Sequence, residues 1–591
     1  MSNYPESLIY FMWPWQVYYR ISAQTSAETL FNKLDTGLQP NVFLIGFLKK
    51  DRQDRLPICV EPEDIDFKLS EFNALTERAR EHFNKHERRE MFYSGPGQQE
   101  EMHGRLINET LQSALVEILN QSENNNGKIS FASKAVMIDD FEVYVILQLD
   151  REIYKTHDHL SIERNDQNLK IHTSLLSTVV EVYLEERTRT LYYPNPGKNL
   201  SGDSRIADEL WREAARTFMY TISSKGKDFY GLHGLFDACN KLSIARYEGE
   251  ENQGYLIISD KMNVHVELLT TLEAPFNFKE FRRVRKLLQL SNDEIGMVCN
   301  TNNVFGLGRI SNEYDPALES VFVVRFISIH CWDVLHHGKP ILQMRYSLPE
   351  FPPETISKSK FFSDAERTFS LATKDDLEHL YDLALTVTNQ AKGALLIISN
   401  DAQNEAKRLG NQCFPLIPEK LSADTILNLT TIDGGVLIDQ HGLVFAYGVI
   451  LDGVVGKEGD SARGSRYNSA ITYHEYKRQI SEVMVVIVSE DGSVDVIPNL
   501  RPQIKHSEIE RIISLFESMV NTTEKNVGNF NQIMEWFQNR RFYLTAEECE
   551  RINKARIKIE ENFGIQNVRI VYDDLMPNSE MNTTYYINEH N

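Results

Sequence analysis

Apolar and polar positions follow two rhythms along this chain. Short, nearly continuous apolar runs bounded by turn residues predict buried strands at 8–19, 42–48, 135–149, part of 175–184, 321–329, 394–399, 443–450 and 483–488. Apolar residues returning near i, i+3, i+4 and i+7 predict helices at 104–119, 374–388, 509–520, 530–537 and 546–563, and 69–89 is charged at helical spacing. Between these, 121–127 is a polar loop, and 193–202, with two prolines and two glycines, predicts a linker. The proline- and serine-rich 351–363 predicts a domain boundary, and 574–591 a polar, mobile tail. Helices alternating with buried strands imply an α/β fold, with sheets covered on both faces. Four regions are expected: an N-terminal α/β domain over 1–205, a second over 206–350, a third over 361–505, and a helical C-terminal region over 506–591.

The second and third regions share a pattern. Arg216-Thr217-Phe218, a helical stretch and Gly254-Tyr255-Leu256-Ile257-Ile258 parallel Arg367-Thr368-Phe369, a helical stretch and Gly393-Ala394-Leu395-Leu396-Ile397-Ile398. Leu287-Leu288-Gln289-Leu290-Ser291 parallels Ile426-Leu427-Asn428-Leu429-Thr430, and Val304-Phe305-Gly306-Leu307-Gly308 parallels Val444-Phe445-Ala446-Tyr447-Gly448. Ile258 and Gly296 are 38 positions apart, and Ile398 and Gly435 are 37. Short apolar strands recur by chance in α/β proteins, so a duplication is an expectation that sheet topology has to test.

Composition narrows the classes. The 591 residues suit several domains, and 41% hydrophobic with 25% charged residues is ordinary for a globular chain. A net charge of −22 opposes a general electrostatic grip on nucleic acid. Six scattered cysteines without a CxxC pair read as reduced thiols. No stretch approaches the ~20 apolar residues of a membrane span, and no basic leader precedes residues 8–19, so the expectation is a cytoplasmic protein. His157-Asp158-His159 reads as a solvated turn rather than half a metal site, and no phosphate-binding GxxxxGK[ST] occurs.

Candidate chemistry gathers between residues 433 and 490. Asp433-Gly434-Gly435 breaks an apolar run and places a carboxylate at a strand end, where glycines permit close approach of phosphate or base. Gly464-Ser465-Arg466-Tyr467-Asn468 reads as a loop entering a helix, whose free N–H groups and arginine suit a phosphate chain. A third strand ends at Ser489-Glu490. In this order the three elements resemble the diadenylate cyclase (DAC) domain family over about 361–505, in which Asp-Gly-Ala, Gly-Thr-Arg-His-Arg and Ser-Glu follow one another. Gly435 replaces the family Ala, Ser465 the Thr, Tyr467 the His and Asn468 the second Arg. Arg463 and Lys457 are neighbouring cations that could replace the lost charge.

The resemblance implies a mixed sheet flanked by helices, and the pattern shared with the second region then implies a degenerate copy of that fold before it. It implies a nucleotidyltransferase that condenses two ATP into cyclic di-AMP and releases pyrophosphate. Asp433 would hold Mg2+ or Mn2+ and the attacking hydroxyl, Glu490 would assist the metal, and Ser465 and Arg466 would bind phosphate. Gly434, Gly435, Gly464, Tyr467 and Asn468 would line the nucleotide site. One site carries one ATP, so two such domains must meet face to face in a homo-oligomer. The alternative is a non-catalytic sensor that reads a nucleotide or cyclic dinucleotide through the same pocket; the Tyr467-Asn468 pair favours it. A scaffold without ligands has no use for Asp433, Arg466 and Glu490 together.

Overall fold

The computed structural model describes all residues except 1–10, 50–54, 64, 66, 93, 158, 164–170, 199–204, 226–233, 246–252, 293, 351–355, 357, 389, 391–392, 452–463, 490–493, 522–526, 564–571 and 588–591. The chain forms two compact units, one of residues 1–352 with 522–539 and one of 353–521 with 540–591. It is a mixed α/β protein with three sheets and a helical C-terminal region. Among the described residues no helix is long and apolar enough to cross a membrane.

The first unit begins with an antiparallel sheet in the order Ile58–Glu61, Asn41–Leu48, Phe141–Asp150, Lys128–Ala132, with Val136–Ile138 also paired to Phe141–Asp150. Asn41–Leu48 is apolar on both faces because helices cover both. Val42 and Leu44 join the core that holds Tyr19, Ala23 and Ala27 of helix Gln16–Phe31. Phe43 and Ile45 meet Leu75 and Ala79 of Leu75–Lys85, and Ala114, Leu115 and Ile118 of Gln98–Gln121. Apolar side chains from Met12 to Met344 form one continuous core, which the unit's second sheet shares.

Four local expectations are corrected here. Residues 16–19 lie in a helix rather than a strand, since Tyr19, Ala23, Ala27 and Leu30 recur on its buried side. Leu175–Leu191 is likewise a helix: Ser174 caps it by accepting from Ser177 N–H at 3.0 Å, and its valines are buried around most of its girth. An apolar run buried on every side carries no period that separates strand from helix. The proline- and glycine-rich segment after this helix is docked, not a free linker: Trp13 Nε1 donates to Pro196 O at 2.7 Å, and a Cβ on Gly197 would lie 2.4 Å from Trp15 O. His157 is buried and its Nε2 lies 3.2 Å from Asp35 Oδ2, an internal pair rather than a solvated turn.

The second and third sheets can be compared strand by strand. Six strands of the second run in the order Val266–Asn277, Asn303–Ile310, Gly296–Cys299, Gly254–Ile258, Phe322–Ser328, Cys331–His336, and Lys339–Arg345 and Leu348–Glu350 extend it. The third, in the other unit, runs Phe414–Glu419, Val444–Val449, Gly435–Ile438, Ala394–Ser399, Val483–Val488, Val494–Ile497. Both have the same single parallel pairing among antiparallel ones: Gly254–Ile258 with Gly296–Cys299, and Ala394–Ser399 with Gly435–Ile438. Register agrees as well. Leu256 faces Met297 and Val324, and Leu396 faces Val436 and Val486. The main departure lies between the fourth and fifth elements of each series. Helix Ser465–Lys477 precedes Val483–Val488, whereas only the short turn Pro316–Leu318 precedes Phe322–Ser328.

The C-terminal helices do not form one body. Val527–Asn539 belongs to the first unit, while His506–Ser518 and Ala546–Phe563 belong to the second. The described part of the tail is also docked rather than mobile. Leu575 N–H donates to Asn553 Oδ1 at 2.9 Å, and Ile504 exchanges backbone bonds of 3.1 and 3.0 Å with Tyr585 and Ile587. Two buried apolar anchors, Leu575 and Tyr585, hold an otherwise polar segment.

Candidate functional site

The site forms where Gly435–Ile438 begins. Gly435 faces Leu395 on one side and Val449 on the other, in the middle of the sheet. A Cβ there would lie 2.8 Å from Ile397 Cδ1, so glycine suits this crowded position. Gly434 has φ +111°, and a Cβ on it would approach the Gly448 carbonyl carbon to 2.6 Å and Val449 N to 2.8 Å. The turn that presents Asp433 therefore depends on glycine twice over, for its dihedral and for its clearance. Gly434→Ala is expected to lower stability by about 1–3 kcal/mol. Chemical denaturation checks this, and loss of nucleotide binding at unchanged stability would contradict it.

Asp433 itself is fully exposed, with Oδ1 3.9 Å from Arg466 Nη2. Arg466 stands in the first turn of Ser465–Lys477, and the Gly464 cap brings no side-chain hydrogen bond to that helix end. Among the described residues nothing lies within 4 Å of where a Gly464 Cβ would stand. The helix buries Ala470, Tyr473, His474 and Lys477. Ala470 and Tyr473 pack with Leu395, Ile397, Leu437 and Ala446 of the sheet, which aims the Arg466 end toward the Asp433 turn.

Gly393 is a site residue that motif reading overlooked. It has φ +77°, and a Cβ on it would lie 2.9 Å from Arg466 Nη1 and 2.9 Å from Val488 O. The guanidinium is thus seated over a glycine at the start of Ala394–Ser399. A glycine directly before an apolar strand was the available signal.

Tyr467 is half-buried and packs against the core beneath the helix. Asn468 N–H donates to Gly464 O at 3.2 Å in the same first turn. Ser465 is exposed at the helix start. Asp433, Gly434, Gly435, Gly464, Ser465 and Arg466 are thus distributed over one turn and one helix end, bridged by the Asp433–Arg466 pair. Glu490, Arg463 and Lys457 lie outside the described residues.

Two buried ionisable groups brace the helix. Burial, reinforced by Arg478, pushes His474 down to about 4, so the ring is neutral at physiological pH. Burial works against ionisation of Glu405, but hydrogen bonds from Arg408, Lys477 and Tyr473 prevail and hold its carboxyl below the usual range. Among the described residues, ligand-capable His, Cys, Asp and Glu atoms converge in a group of three only at His506, Glu510 and Glu548. Those groups have protein partners: His506 meets Glu548 at 2.7 Å, Glu548 accepts from Thr545, and Glu510 takes Arg551 with both oxygens.

Comparisons with known proteins bear mainly on the first unit. A family model described as "Probable sensor domain DACNG" matches residues 12–219, and one described as "Probable sensor domain DACNH" matches residues 233–338. No curated protein matches the chain. Among solved structures, a double mutant of DacA from Staphylococcus aureus is similar at 19% identity, over 21% of this chain and 83% of that one, with a TM-score of 0.18.

Proposed function

We propose that this chain is a nucleotide-responsive sensor protein in which the Asp433 turn and the Arg466 helix end form a pocket for a nucleotide or cyclic dinucleotide. The observation that carries the reading is Arg466, seated over Gly393 at a helix end without a side-chain cap and beside an exposed carboxylate. A guanidinium and the first-turn N–H groups together make an anion site. The sensor descriptions matching 12–219 and 233–338 agree with a receptor role for the first unit. We read the second sheet as a degenerate copy of the third, given the shared order, direction and register. It carries Glu294-Ile295-Gly296 where the third has Asp433-Gly434-Gly435.

One observation favours a second reading, diadenylate-cyclase-like synthesis as the output of that sensing. Among the described residues the fully exposed Asp433 carboxylate pairs with Arg466 alone, at the long distance of 3.9 Å. It would be one carboxylate ligand for Mg2+ or Mn2+, and the resembled motif makes Glu490 the other. Such an ion would polarise the α-phosphate and the attacking ribose hydroxyl. Arg466 would orient the triphosphate, and a partner copy would bring the second ATP face to face. Two ATP would give cyclic di-AMP and two pyrophosphates.

Incubation of the full chain with ATP and Mn2+ or Mg2+, followed by chromatography and mass spectrometry, separates the readings. The sensor reading expects saturable nucleotide binding without a cyclic dinucleotide, in both the parent chain and Asp433→Asn. A cyclic dinucleotide that disappears in Asp433→Asn would establish synthesis instead. Absence of both binding and product would remove both readings.

A further inference from the structure

The second sheet carries a cavity of its own, at the end that corresponds to the Asp433 end of the third. It has a volume of about 660 Å³ and is lined by Gly254, Tyr255, Arg285, Gln289, Asn292 and Arg325, among others. That volume lies within the range of small-molecule sites, roughly 300–1,000 Å³. Gly254 and Phe326 occupy the strand positions that Ala394 and Val488 hold in the third sheet, as the paired registers show. In the third sheet the Arg466 guanidinium lies over Gly393, the residue directly before Ala394. In the second, no α-helix separates Asn303–Ile310 from Phe322–Ser328, and the equivalent positions border the open cavity. Arginines reach it from other elements: Arg325 from the strand itself and Arg285 from helix Phe281–Leu288.

Among the described residues the cavity wall is built around two arginines. Arg325 Nη2 donates to Asp333 Oδ2 at 2.7 Å, and the same fully buried carboxylate accepts from Arg345 Nη1 at 2.8 Å. One negative charge shared between two guanidiniums fixes Arg325 in place while leaving a net positive charge. Arg285 is buried, and its Nε donates to the Ala245 carbonyl at 3.2 Å. Ser291 ties the floor together: its Oγ accepts from Tyr255 N–H at 2.8 Å and donates to Leu288 O at 2.6 Å. None of the described lining residues is acidic, in a chain whose net charge is −22.

We propose that this cavity is a second, independent binding site, and that it takes a nucleotide-sized phosphate anion through Arg285 and Arg325. It goes beyond the Asp433 pocket and does not depend on it. Prearranged guanidiniums suit phosphate oxygens, which take forked, charge-assisted hydrogen bonds. Gln289 and Asn292 supply neutral polar groups at the mouth.

The test uses the full chain carrying Arg466→Ala, which is expected to weaken the Asp433 pocket about 10- to 100-fold, and the remaining signal is assigned by its response to variants of the cavity. ATP, cyclic di-AMP and inorganic pyrophosphate are titrated separately by isothermal calorimetry. Saturable binding of at least one is expected. It should weaken about tenfold or more when Arg325→Gln is added, as loss of a charge-assisted contact predicts. Gln289→Trp, a surface change at the cavity mouth, should also weaken it; this variant keeps the test valid if Arg325→Gln fails to fold. The probe that binds tells a mononucleotide from a cyclic dinucleotide or a bare pyrophosphate group. No saturable binding of any probe up to about 1 mM, or full-strength binding in both variants, overturns the proposal.

Discussion

Glu405→Ala is expected to destabilise the 353–521 unit by about 3–5 kcal/mol, because it leaves a buried ammonium without its counter-ion. Glu405 is almost wholly inaccessible. Arg408 donates to both its oxygens at 2.7 and 3.0 Å, Tyr473 O–H donates at 2.9 Å, and the buried Lys477 ammonium contacts it directly. Lys477 and Tyr473 stand on the helix that carries Arg466, so Glu405 fastens that helix to the preceding Ala402–Leu409. Urea unfolding, read through amide exchange in Val483–Val488, measures the loss. A change below about 1 kcal/mol would show that the network is not holding the helix.

The same group sets a pH dependence. Its folded pKa lies below the unfolded value of about 4.3, so its stabilisation is fully present above that value. It is lost as pH falls through the lower folded value. The parent chain should therefore lose stability on acidification below about pH 4, and Glu405→Gln should remove that component of the slope.

Arg466→Ala is expected to weaken nucleotide binding by about 10- to 100-fold, equivalent to roughly 1.5–3 kcal/mol for a charged hydrogen bond. The guanidinium has about a third of its side-chain surface exposed, so removing it should cost far less stability than Glu405→Ala does. Arg466→Lys should fall between the two in affinity, since a lysine keeps the charge and loses the planar fork. Calorimetric titration with ATP and with cyclic di-AMP reads the effect. Equal affinity in the parent chain and Arg466→Ala would move the pocket away from the helix end.

Sequence reading was most informative where one face or both faces of an element had a clear period. Ala394–Ser399 and Val483–Val488 stood out as apolar runs because both faces of the central sheet are covered. His506–Ser518 was visible because Ile509, Ile512, Ile513 and Phe516 recur on one side. The reading failed at Leu175–Leu191, where burial around most of the helix erased the period and only the Ser174 cap remained as a clue. It failed also at the tail, where two anchors outweigh a polar composition.

By itself the sequence determined the α/β class, inner strands such as Asn41–Leu48, Phe141–Asp150, Ala394–Ser399 and Val483–Val488, and a short set of candidate residues, with Asp433 and Arg466 foremost. These follow from side-chain period and turn chemistry, which are local properties. Only the tertiary structure decided that Gly393 provides the seat for Arg466, that Glu405 reaches Lys477 across 72 positions, and that Val527–Asn539 belongs with the first unit. It also decided that the end of the second sheet, which lacks the Asp433 motif, is a cavity walled by arginines. Those outcomes depend on contacts between residues far apart in the chain, where strand pairing and helix packing choose among many partners that local pattern leaves equivalent.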